Sequence, residues 1–440
     1  IAVYDDYQGW DTMTFTGSQE FYNDFNDYNF EVTVPKNYVV WATGDLLNPD
    51  EVLQKNYSDR LHQSLTSDEV IKIVSQEDLT NKQITTQNET NTWKWKATNI
   101  TDVALAMSDH YNWDGGSVVV DSKTNRRASV QAAYDEPSKD FKEMVTYGKH
   151  ALDWFSNNYP GVPYPFSKST IVRGFADMEY PMMVNDNSAS NATFARFVVE
   201  HEIAHTYFPF YMGINETRFG FMDEGWATAL EHLSGISDLG EAQATKFFQA
   251  FRVRSWTKDP SMEQDIPIIT PSNILSGAAL GNNEYGKAAL GYLAVKDLLG
   301  DDLFKKSLQG YMDRWNGKHP IPWDFFYSIN DVSGKDLNWF WNAWYFSNNY
   351  IDIALKSVHT INNATTLQVQ NIGGMPAPFD LMVTLDDGTT KTIHQTSEVW
   401  RGNVKEATIS LKDVKNVNSV KIDGGIFMDA DIANNTWNKS

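Results

Sequence analysis

The pentapeptide His201-Glu202-Ile203-Ala204-His205 constrains this chain more than any other feature. Residues four apart share one face of an α-helix, so a helix through this stretch lets both imidazoles aim a nitrogen at a single ion while Glu202 projects beside them. Residues 192–200, directly upstream, carry apolar side chains at helical spacing, which places the pentapeptide on a predicted helix. The third ligand must come from elsewhere. Glu224 lies near the start of a second apolar stretch, Phe221 through Leu233, that reads as another helix. Two imidazoles and one carboxylate leave the fourth tetrahedral position of zinc open for water, the mark of a catalytic centre. The expectation is one Zn2+ per chain, on His201, His205 and Glu224. The competing reading makes the histidines satisfied helix residues and Glu224 a solvated carboxylate; chance alone produces such a pentapeptide about once in a hundred chains of this kind.

These residues resemble a known pattern. In the aminopeptidase N and leukotriene hydrolase family of gluzincin metallopeptidases, His-Glu-x-x-His is followed by eighteen residues and then Glu, and positions 206 to 223 here are eighteen residues. Gly174-Phe175-Ala176-Asp177-Met178-Glu179-Tyr180 looks like the family's Gly-x-Met-Glu-Asn stretch; Met178 and Glu179 match, while Ala176, Asp177 and Tyr180 depart from the commonest form. The resemblance implies that Ala176, Met178 and Glu179 meet substrate, with Glu179 gripping a free amino group. It also implies that Tyr285, in Glu284-Tyr285-Gly286-Lys287, is the transition-state tyrosine; without it, an ordinary helix-start tyrosine is the better reading. Tyr4-Asp5-Asp6 through Val32-Thr33-Val34-Pro35 looks like the later part of the family's N-terminal β domain. Because the chain opens at Ile1 in sequence that reads as mid-domain, that domain is expected to be incomplete.

The rest of the chain fits a multidomain α/β protein. Strand-like stretches come first, at 29–34, 38–42 and the alternating Thr92-Trp93-Lys94-Trp95-Lys96, and imply a β domain over 1–100. Val103–Met107 and Ser117–Val120 read as strands of a new sheet, followed by a helix over Ser138–Phe155. From about 192 to 348 the pattern is almost wholly helical, and the resemblance implies a thermolysin-like catalytic domain over 101–350. Short strands return after Tyr350, with a hairpin turn at Asp386-Asp387-Gly388-Thr389, and read as a C-terminal β-sandwich over 351–440.

Composition sets limits. A net charge of −21 argues against a nucleic-acid partner, since phosphate binding needs basic surface. The absence of cysteine excludes disulfides and thiolate ligands but leaves the compartment open, an extracytoplasmic one being favoured. No apolar run has the length needed to span a bilayer. Glu231, seven residues after Glu224, is read either as a partner orienting a zinc histidine or as a salt-bridge residue, and His232 as structural. The expected function is metalloaminopeptidase action on peptides with a free N-terminus: zinc lowers the pKa of its water, Glu202 is the general base, and Tyr285 stabilises the oxyanion. The alternatives are a gluzincin endopeptidase, an epoxide hydrolase, or a catalytically silent binding protein of the same fold.

Overall fold

The computed structural model describes residues 2–17, 19–258, 265–361, 364–412 and 414–439. It is a mixed α/β molecule, β-rich towards both ends of the chain and helical in the middle, and it divides into two compact units. The first comprises residues 1–14, 21–215 and 312–320; the second comprises 15–20, 216–311 and 321–440.

In the first unit, alternation decides the N-terminal sheet. Strand Thr90–Ile100 buries Trp93 and Trp95 on one face and turns Lys96 outward, as a period of two requires. It pairs antiparallel with Asn26–Pro35, which contains the strand expected at 29–34. Trp93 and Trp95 join Trp41 and Trp113 in one core, the last two packed edge to face with centroids 5.8 Å apart. Leu105–Ser108 does not start a new sheet beside Ser117–Val120, as the sequence suggested. It pairs with Val39–Ala42, because Trp41 and Val40 need cover from a strand that returns to them. Ser117–Val120 lies instead within Asn112–Asp121, part of a six-stranded mixed sheet ordered Met178–Tyr180, Met183–Asp186, Lys168–Arg173, Arg126–Tyr134, Asn112–Asp121 and Ile71–Val74. The last of these strands has four residues and went unnoticed in the sequence.

Helix Met144–Asn157 lies close against this sheet. A Cβ on Gly148 would come within 2.7 Å of Val130 Cγ1, so only glycine permits the approach. The preceding turn, Lys139–Glu143, is a tighter 3₁₀ segment rather than the first turn of the α-helix expected from Ser138. The pentapeptide sits on helix Ala192–Ala204, whose start is fixed by Asn191: its side-chain oxygen accepts from the amides of Thr193 (2.9 Å) and Phe194 (3.2 Å). Such a cap contributes about 1 kcal/mol.

The second unit packs helices Glu224–Leu239 and Lys287–Leu299 at close range through Gly225, where a Cβ would meet that of Ala288 at 2.7 Å. Trp226 then stacks on Tyr292, with centroids 4.0 Å apart and planes 12° from parallel, and Phe325 meets both rings edge-on. Burying a ring of this size removes roughly 150–250 Å² from water, about 4–6 kcal/mol before entropy is counted. Two antiparallel sheets follow. One is ordered Ile353–Ile361, Ala364–Asn371, Glu406–Leu411; the other Thr390–Gln395, Phe379–Leu385, Val417–Asp423, Thr436–Asn438. The expected hairpin turn joins Phe379–Leu385 to Thr390–Gln395, with Gly388 at φ 84°. Among the described residues, no helix is long and apolar enough to cross a membrane.

Candidate metal and catalytic site

The first unit supplies the pentapeptide, buried in full from His201 to His205. The helical spacing brings the two Nε2 atoms to 3.2 Å, with ring planes at 84°. His205 Nδ1 lies 3.2 Å from the Phe208 carbonyl oxygen. A carbonyl only accepts, so Nδ1 carries the proton and Nε2 presents its lone pair. That carbonyl is available because Phe208 departs from helical geometry (φ −136°, ψ 103°) just past the helix end. Two facing ring nitrogens so close must share a proton or flank a cation. Tetrahedral zinc with Zn–N bonds of about 2.0–2.1 Å sets its nitrogens about 3.3 Å apart, so the donor pair fits the metal.

Glu179 and Glu202 join this cluster. Together with His205 they are buried and offer ligand-type atoms all within 4.8 Å of one another. One Glu179 oxygen lies 3.6 Å from His205 Nδ1. Glu179 is carried by Met178–Tyr180, an end strand of the six-stranded sheet, paired antiparallel with Met183–Asp186. Met178 is half-buried, whereas Ala176 is exposed on the preceding loop and is not gathered into the cluster. Asp186, at the end of the neighbouring strand, escaped notice in the sequence. Burial, and then the negative charge of Asp177, push its carboxyl well above the ordinary range, while His201 pulls the other way.

The second unit supplies Glu224 and Tyr285. Glu224 is buried as the first residue of helix Glu224–Leu239, and the Tyr285 hydroxyl donates to its Oε1 at 2.7 Å. Tyr285 stands in the wide turn Asn282–Gly286, which delivers it there although the two residues are 61 apart in sequence. Glu231 is not an exposed salt-bridge residue. It is buried and holds Arg252 by a two-pronged ion pair, from Nε at 2.9 Å and from the other guanidinium nitrogen at 2.6 Å. The same guanidinium lies 5.1 Å from the centre of the Tyr285 ring, so Arg252 ties the tyrosine to Glu231. No sequence pattern signalled Arg252. Glu284, adjacent to Tyr285, is pushed up to about 7 by burial, helped by the charge of Glu224. His232 packs against Phe248 with centroids 4.5 Å apart, in keeping with a structural part.

Comparison with known proteins points the same way. Residues 145–344 match the Peptidase family M1 domain. Aminopeptidase M1-C of Oryza sativa subsp. japonica is 24% identical over 235 residues, which is 48% of this chain and 26% of that protein. Glutamyl aminopeptidase of Sus scrofa is 22% identical over 226 residues, 49% of this chain and 24% of that protein. The chain thus spans about a quarter of the length of these curated relatives. In fold it is similar to a mutant M1 zinc metallopeptidase from Deinococcus radiodurans, with TM-score 0.53, 15% identity, and coverage of 74% of this chain and 65% of the other. It is also similar to Legionella pneumophila aminopeptidase A in complex with aspartic acid, with TM-score 0.61, 14% identity, and coverage of 89% and 43%. The matched region, residues 145–344, carries the pentapeptide, Glu224 and Tyr285, and is similar to an M1 peptidase domain.

Proposed function

We propose that this chain is a zinc-dependent aminopeptidase that removes N-terminal residues from peptides, with the metal on His201, His205 and Glu224. The observation that carries the reading is the pair of Nε2 atoms at 3.2 Å, one of them made a lone-pair donor by the Phe208 carbonyl. When bound, zinc polarises the scissile carbonyl and makes water acidic enough to attack near neutral pH. The protein's own groups do the rest. Glu202 takes the proton of the attacking water and returns it to the leaving amine. Glu179, buried beside it, pairs with the substrate's ammonium. The Tyr285 hydroxyl, held on Glu224 in the resting protein, is the donor for the developing oxyanion.

The test combines elemental analysis with paired substrates. One zinc per chain is expected, lost together with activity in His201→Ala. Free-amine aminoacyl substrates should be cleaved far faster than N-acetylated ones, a preference that Glu179→Ala erases. Full zinc occupancy in His201→Ala, or internal cleavage of acetylated peptides at comparable rates, would overturn the proposal.

A further inference from the structure

A second site lies in the first unit. A cavity of about 340 Å³, within the size range of small-ligand pockets, is lined by Lys168, Trp95, Trp113, Leu46, Leu61 and, at its exposed edge, Asp45. Lys168 is buried on strand Lys168–Arg173, and its ammonium donates to the Ala42 carbonyl (2.6 Å) and to Thr170 Oγ1 (3.2 Å). It has no ion-pair partner among the described residues. A buried cation of this kind is costly unless paired, and burial pulls the Lys168 pKa down to about 7, so its charge is barely kept at neutral pH. The indole N–H of Trp95, itself buried, has no acceptor, although its ring lies 5.7 Å from the Lys168 ammonium. Lys168 thus lines, beside that ring, a cavity walled by apolar side chains and by the polar Ser129, Gln131 and Ser167. Arg127, which also lines it, is already committed to Asp68 and to Ser117. One uncommitted positive charge calls for a monoanion.

We infer that this cavity binds a small monocarboxylate with a compact apolar body, its carboxylate pairing with the Lys168 ammonium and its body lying among Leu46, Leu61 and Trp113. A simple acid and a free apolar amino acid share this chemistry, and Asp45 at the edge would favour the second by pairing with its ammonium.

Isothermal titration of the full, zinc-loaded chain tests the inference with three probes of one shape: 4-methylpentanoate, L-leucine and 3-methylbutylamine. The two carboxylates should bind and the amine should not; leucine binding more tightly than the acid, with the gap closed in Asp45→Asn, identifies the amino acid as the preferred source. Lys168→Met should weaken carboxylate binding about ten- to a hundredfold while leaving hydrolysis of aminoacyl substrates unchanged. Leu65→Trp, at a half-exposed lining residue, blocks the mouth without entering the core and serves where Lys168→Met fails to fold. Carboxylate binding untouched by both variants, equal binding of the amine, or no binding at millimolar probe would overturn the inference.

Discussion

The Arg252–Glu231 pair gives the sharpest test of how the second unit holds Tyr285. Arg252→Met keeps the apolar stem of the side chain but leaves the Glu231 carboxylate, 3% exposed, without the guanidinium that engages it at 2.6 and 2.9 Å. Removing one partner of a buried, hydrogen-bonded pair costs about 3–5 kcal/mol, mostly the penalty of the charge left behind. Glu231→Leu combined with Arg252→Met removes both charges and should recover most of that loss, giving a coupling energy of about 2–3 kcal/mol in a double-mutant cycle. Urea unfolding, followed by tryptophan fluorescence and by circular dichroism, measures the stability. Steady-state kinetics supply a second readout. Because the guanidinium also backs the Tyr285 ring at 5.1 Å, the double variant should regain stability but not the full kcat. A loss below about 1 kcal/mol for Arg252→Met, or additive effects in the cycle, would refute the account of this pair as a buried clamp.

Three further outcomes are expected. Glu202→Gln should keep zinc, measured by elemental analysis, and lose about 10²–10⁴-fold in turnover; near-normal turnover would place the base elsewhere. Tyr285→Phe should lower kcat about 10²-fold with KM little changed, since its hydroxyl acts where charge develops; a raised KM at constant kcat would make it a binding residue. His394 lies between Asp380 (2.7 Å) and Asp297 (2.8 Å); burial works against its charged form, but the two aspartates prevail and raise its pKa. Its folded pKa therefore exceeds the unfolded value of about 6.5, so its stabilisation is complete below that pH and is lost as pH rises through the folded pKa. Stability measured from pH 6 upward should fall less steeply in His394→Gln than in the unsubstituted chain, and equal slopes would exclude the aspartates as the cause.

Much of the site could be read in the sequence because its chemistry is local. A spacing of four on a helix places His201 and His205 side by side whatever surrounds them, and Asn191 begins that helix by capping its first amides. Alternation in Thr92-Trp93-Lys94-Trp95-Lys96 likewise settled which face of its strand is buried, and Asp386-Asp387-Gly388-Thr389 settled a hairpin. Pairing partners did not follow from such patterns. Leu105–Ser108 reads the same whichever strand it joins, and the choice of Val39–Ala42 fell to the tryptophan core it had to cover. The charge partners were equally hidden. Glu231 looks alike in sequence whether it meets solvent or Arg252, and Lys168 gives no sign that it is buried beside a cavity. The sequence by itself determined the candidate ligand types and the helical register of His201 and His205, since these depend on neighbours within one turn. Only the tertiary structure decided which carboxylates and ammonium groups lost their water, because desolvation depends on what distant segments bring against them.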